Sequence, residues 1–184
     1  MATTNVYTGA NGTLLFSSDS TNKPEGADAD ALLDAKMYDL TAVGRLTNVA
    51  VYVQTDLEGY YEIGTRHAVS LHGQNIRISG KIDRAYINGA LLFLLLGRGA
   101  NPNNIKEPYP QPALLMNLIL HDPAVPTARS VLNLEGVKFE NWAFALPEDD
   151  FVMENVTFKA LRIRVQDEEG GPPPAVKVPK FPTS

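Results

Sequence analysis

Apolar and polar residues alternate with a period of two along several segments, the pattern of strands that bury one face. In the clearest case Ile76, Ile78, Gly80 and Ile82 share one face, and Arg77, Ser79, Lys81 and Asp83 the other. A second segment sets Val49, Val51 and Val53 against Asn48, Tyr52 and Gln54. A third places Leu114, Met116, Leu118 and Leu120 on one face, with Leu115 and Ile119 on the other. Being apolar on both sides, it predicts a strand covered by a second layer or by a neighbouring subunit. Three more strands are expected over 129–134, 137–146 and 156–165, separated by Glu135-Gly136 and by Pro147-Glu148-Asp149-Asp150, and they read as a meander. In the last of these the apolar phase changes. Val156, Phe158 and Ala160 give way to Leu161, Ile163 and Val165, as at a bulge or a crossing between two sheets.

Only one segment is convincingly helical, with Asn88 as N-cap, Gly89 and Ala90 in the first turn, Leu91 to Leu96, and Gly97 as terminator. It is apolar all round, so it must be buried, against its own sheet or shared with another chain. A second short helix is expected over 30–40, with Leu32, Leu33, Met37 and Leu40. The connections 17–28 and 98–112 are long and rich in Asn, Pro, Gly and Ser, and loops of that length call for a reason such as binding or assembly. The expected organisation is one domain over 1–166, followed by an extended Pro/Gly-rich tail over 167–184.

The chain has 184 residues, enough for one core without staples, and no cysteine, which excludes a disulfide framework, a thiolate zinc site and a cysteine nucleophile. Its formal net charge of -5 argues against a basic face that grips nucleic acid or an anionic membrane. The longest apolar run, 90–96, is far too short to span a bilayer, and the first residues carry no secretory pattern. His67, His72 and His121 match no metal-ligand spacing. The cluster Glu148, Asp149, Asp150 and Glu154 lacks the alternation and glycine of a calcium loop and reads as a solvated turn. Gly97-Arg98-Gly99 follows a helix and lacks the third glycine of a dinucleotide loop, and neither a nucleophile elbow nor a phosphate-binding loop occurs. No catalytic residue, cofactor or metal ligand is expected. A strand apolar on both faces, a wholly apolar helix and long polar loops suit a subunit that assembles with copies of itself.

Two stretches carry a resemblance. The first runs from Tyr60-Tyr61-Glu62-Ile63-Gly64-Thr65-Arg66 through Gly73-Gln74-Asn75-Ile76-Arg77-Ile78-Ser79-Gly80-Lys81-Ile82-Asp83-Arg84-Ala85-Tyr86-Ile87-Asn88-Gly89 to the leucine-rich helix. The second runs from Gly136 to Phe144 and from Pro147 to Leu161. Together they cover about a third of the chain and resemble the tail tube proteins of tailed phages. The resemblance implies a β-sandwich or rolled β-barrel with one short flanking helix. It implies a structural virion protein of the tail, assembled in the host cytoplasm as hexameric rings that stack into a hollow tube. Inner sheets would join into one barrel, and the genome would pass through the lumen without sequence-specific binding and with no membrane involved. The partners implied are other copies of the chain, together with tape measure, tail terminator, baseplate and sheath proteins. The connection 17–28 and the region 54–69 become candidate ring-to-ring and neighbour contacts, with Tyr60 and Tyr61 as anchors because tyrosine offers large contact area at low entropic cost. Leu115 and Ile119, on the second face of their strand, are the other candidate contacts. Two alternatives stand beside this reading: the tube of a contractile injection or secretion system, and a monomeric β-sandwich binding module or hydrolase.

Overall fold

The computed structural model describes residues 7–18, 43, 45–86, 89–96, 111–121 and 128–168. The expected helix over 30–40, the caps Asn88 and Gly97, the tail beyond residue 168 and all but the margins of the two long connections lie outside the described residues. After a single 3-10 turn come β1 (Gly12–Ser18), β2 (Leu46–Tyr60), β3 (Ser70–Ala85), α1 (Ala90–Leu96), β4 (Leu114–His121), β5 (Arg129–Ala145), β6 (Met153–Ala160) and β7 (Arg162–Glu168). All pairings are antiparallel, and the strands form one curled sheet in the order β1-β4-β5-β6-β3-β2, with β7 also on β5. The expected mainly-β sandwich or rolled barrel with one short helix is the observed fold.

β5 turns this sheet into two walls. Its first half pairs with β4 and β7, its second half with β6, so β1-β4-β5-β7 make wall I and β5-β6-β3-β2 make wall II. The dipeptide Glu135-Gly136, read from sequence as a turn between two paired strands, is instead a bend inside one long strand. Gly136 takes φ 63°, a conformation that glycine adopts at no steric cost. A Cβ there would lie 2.6 Å from the Leu161 side chain. Leu161 is the matching bend on the other chain segment: its N–H donates to the Glu135 carbonyl at 2.9 Å, and β6 ends and β7 begins around it. The predicted phase change at residue 161 is thus where the chain crosses from wall II to wall I. β7 runs through Asp167 and Glu168, the first two residues of the segment expected to be tail.

The core lies between the walls and joins Leu14 and Phe16 of β1, Leu114 and Met116 of β4, Leu134, Val137 and Phe139 of β5, Ile78 and Ile82 of β3, and Val156 and Phe158 of β6. Phe16 and Phe139 meet edge to face at 5.8 Å, the geometry their ring quadrupoles favour. α1 packs against β5, with Ala90, Leu91 and Leu94 buried in the same cluster, so its apolar surface is spent largely on its own domain. The predicted phase of β3 holds for Ile78, Gly80 and Ile82 and fails at Ile76, which is 64% exposed. Val53 is likewise exposed while Val49 and Val51 are half-buried. The core ends there, but the strands do not.

Candidate assembly surface

Beyond Ile78, β2 and β3 continue as a two-stranded hairpin with no third strand beside it among the described residues. β6 leaves at Ala160, which pairs with Ile78, and bends into wall I. The hairpin registers Val53 with Ile78, Thr55 with Ile76, Leu57 with Gly73 and Tyr60 with Ser70, with a bulge on β3 between the second and third of these pairs. Its tip is a built turn. The backbone N–H of Val69 donates to the Tyr60 carbonyl at 2.8 Å, and both the N–H and the hydroxyl of Thr65 donate to the Glu62 carbonyl, with Gly64 at φ 93° between them.

The two faces of this hairpin differ. On the face continuous with the core lie Val53, Leu57, Leu71 and Ile76, all exposed. Tyr61 belongs to the same face, because its ring and the Ala68 methyl cover Gly59. Tyr60 lies opposite, on the outward face. The predicted anchors Tyr60 and Tyr61 therefore sit at the hairpin tip, exposed, on different faces of it. Leu115 and Ile119 stand on the outward face of wall I, half-buried, so the two pairs of predicted contact residues form two separate patches. Leu57 falls within the predicted contact region 54–69, whereas Ile76 escapes it because alternation marks that residue as core.

The outward face of wall II is largely polar, and three of its cations are paired. Arg77 meets Asp56 at 2.7 Å, Lys81 meets Asp83 at 3.3 Å and Lys159 meets Glu140 at 2.6 Å, while Gln74 donates to Glu58. Asp83 is the hub of this face. Burial pushes its carboxyl up, but hydrogen bonds from Asn48 at 2.9 Å, from Lys81 and from Asn155, with the charge of Lys81, outweigh that and hold it below the ordinary carboxylate range. Exposed pairs of this kind add little stability.

At the end of wall II remote from the tip, Arg84 of β3 and Glu154 of β6 face each other in register and are each 1% exposed. The guanidinium Nε donates to one carboxylate oxygen, and the indole N–H of Trp142 donates to the other at 3.0 Å. Trp142 stacks on Phe144 at 5.7 Å, which meets Tyr86 edge-on at 5.0 Å. Tyr86, Phe144, Leu146 and Phe151 are exposed around this network. Sequence reading misses this patch because its members are distant in the chain and only the β3-β6-β5 register unites them. Among the described residues no three metal-ligating side chains cluster, and no helix is long and apolar enough to cross a membrane.

No protein-family model and no curated protein matches this chain. Solved structures do share its fold. A chain of the sheath-tube complex of an extracellular contractile injection system, PVC, in its extended state superposes with a TM-score of 0.60 at 9% identity, over 90% of this chain and 94% of the other. A chain of the tube-terminating cap of the anti-feeding prophage gives 0.59 at 8% identity, over 91% and 95%. The SPP1 tail tube gives 0.53 at 8% identity, over 89% and 80%. The fold is that of tail tube proteins.

Proposed function

We propose that this protein is a tube subunit of a phage tail, a structural component that works by assembly and conduction and not by catalysis. The observation that carries the reading is the fold shared with tube proteins over about nine-tenths of the chain. Physical features of the chain support it. Wall II presents β2 at one end and the second half of β5 at the other, and among the described residues neither has a strand on its outer side. Open edges are a hazard for a monomer, and closing such sheets edge to edge around a ring removes them. Hexameric rings built in this way expose the outward face of wall II to the lumen. Three of its cations, Arg77, Lys81 and Lys159, are tied to carboxylates there, which reduces the basic surface that passing DNA meets. Sheath, terminator, baseplate and tape measure proteins are the further partners of this reading.

Negative-stain microscopy of purified protein at high concentration tests it. Rings or open tubes with a central hole are expected. A strictly monomeric particle of 20.0 kDa that never polymerises, even with its tail partners, overturns the reading and favours a monomeric binding module.

A further inference from the structure

The chain carries a formal charge of -5, yet its acids and bases are not spread evenly over the outward face of wall II. One row of that face crosses all four strands: Tyr52 of β2 registers with Ser79 of β3, Ser79 with Lys159 of β6, and Lys159 with Lys138 of β5. In the next row, away from the hairpin tip, Lys81 registers with Thr157 and Thr157 with Asn141. Arg77 lies one row toward the tip, across from Gln54. These rows hold four cations, Arg77, Lys81, Lys138 and Lys159, and among the described residues Glu140 is the one acid inside them. The partners of Lys81 and Arg77, which are Asp83 and Asp56, stand at the two borders. From Arg77 to Lys81 the band is about 13 Å wide at ~3.3 Å per residue.

We propose that this basic band is a contact for the phosphate backbone of double-stranded DNA, repeated once per ring inside the tube. The contact rests on the tube reading, which turns this face to the lumen, and it names the groups that the duplex meets there. Lys138 and Lys159 stand directly opposite each other, and like charges so placed repel within the isolated sheet. Glu140 takes up Lys159 at 2.6 Å, whereas Lys138 is exposed and has no acidic partner among the described residues. An anion lying over the pair relieves that repulsion. The residues between the cations suit phosphate as well, because Ser79, Thr157 and Asn141 carry the hydroxyl and amide donors that phosphate oxygens accept from. The surface is an open sheet face, so it meets the backbone and reads no base edges. A duplex presents about one charge per 1.7 Å of its axis on every side, so identical bands around a ring all find phosphate. The border acids keep the contact weak: Arg77 and Lys81 must each leave a carboxylate to reach DNA, and the duplex is touched at every ring without being stopped.

Cosedimentation of assembled tubes with a 30-base-pair DNA duplex tests the contact. The duplex is expected in the pellet at 50 mM salt, equally for AT-rich and GC-rich sequences, and its retention falls steeply toward 300 mM. Arg77→Gln with Lys159→Gln changes two exposed side chains on strands inside the sheet, away from the edges that close the ring. This double variant is expected to form tubes, to retain at least tenfold less duplex at 50 mM salt, and to show a shallower salt dependence. Lys138→Gln lowers retention at least threefold. Arg162→Gln with Arg164→Gln, on the outward face of wall I, leaves retention unchanged and separates the lumen from the outside of the tube. Unmodified tubes that retain no duplex at 50 mM salt overturn the contact, as does retention that survives the lumenal variants or is lost only with the wall I variant. Polyglutamate retained in place of the duplex overturns the assignment to DNA. All of these outcomes leave the tube reading in place, whereas unmodified protein that never forms tubes overturns that reading and the contact with it.

Discussion

Replacing Glu154 by glutamine removes one charge from the most deeply buried polar network of wall II while keeping the side-chain volume. Arg84 and Glu154 are each 1% exposed and face each other across β3 and β6. Both carboxylate oxygens are engaged, one by Arg84 and one by the Trp142 indole at 3.0 Å. In Glu154→Gln the new amide oxygen still accepts from Trp142, but the buried guanidinium loses the negative charge that faces it. Breaking a buried pair from one side costs about 3–5 kcal/mol, because the remaining ion has been taken out of water and has lost the carboxylate that faces it. Against a total stability of about 5–15 kcal/mol, that is a fifth or more of the margin, and for a domain of this size it lowers Tm by roughly 6–20 °C. The assay is urea unfolding followed by fluorescence of Trp142, the single tryptophan of the chain, which reports directly on this network. The double variant Arg84→Met, Glu154→Leu removes both ions together. It is expected to cost no more than about 2 kcal/mol, chiefly for the indole N–H left without its acceptor. A cost below about 1 kcal/mol for Glu154→Gln, or costs of Arg84→Met and Glu154→Leu, each made singly, that simply add in the double, refutes the reasoning.

Gly80 lies where β2, β3 and β6 come closest, and a Cβ there would fall 2.4 Å from the Ala50 carbonyl oxygen and 2.4 Å from the Phe158 ring. Gly80→Ala is therefore expected to destabilise by about 1–3 kcal/mol through overpacking, read as a lower urea midpoint with an unchanged slope. Ile78→Asp places a charge in the core face of β3 and costs several kcal/mol, on the order of a buried unpaired polar group; a soluble variant that assembles normally contradicts the strand phase. Asp83 has a folded-state pKa below its ordinary value of 3.8, so its stabilisation is fully present above the unfolded pKa and is lost as pH falls through the folded value. Asp83→Asn should accordingly be less stable than the unmodified protein near neutral pH and converge on it in acid, as urea midpoints across the acid range will show.

Alternation located the strands, because a half-buried strand writes its phase into the sequence, and this succeeded wherever the core lay beneath. Ile78, Gly80 and Ile82 are inside as their period requires. The same rule misplaced Ile76 and Val53, since period two records that a face is to be covered and not what covers it. Gly136 shows a second limit. A glycine after Glu135 reads as a turn, yet positive φ serves a bend within one strand equally well, and only the pairing of both halves of β5 with β6 and β7 decides between them. The change of phase at Leu161 was legible because a chain that passes from one wall to the other must turn over its apolar set. The far end of wall II was not legible, for Tyr86, Phe144 and Phe151 come from three parts of the chain. Phe144 and Leu146 nevertheless carried a usable signal: they extend the apolar phase of β5 past Trp142 toward the acidic turn. Apolar alternation continues beyond the buried part of the sheet at both ends, and among the described residues no layer covers it there, so period two alone overstates how far the core extends.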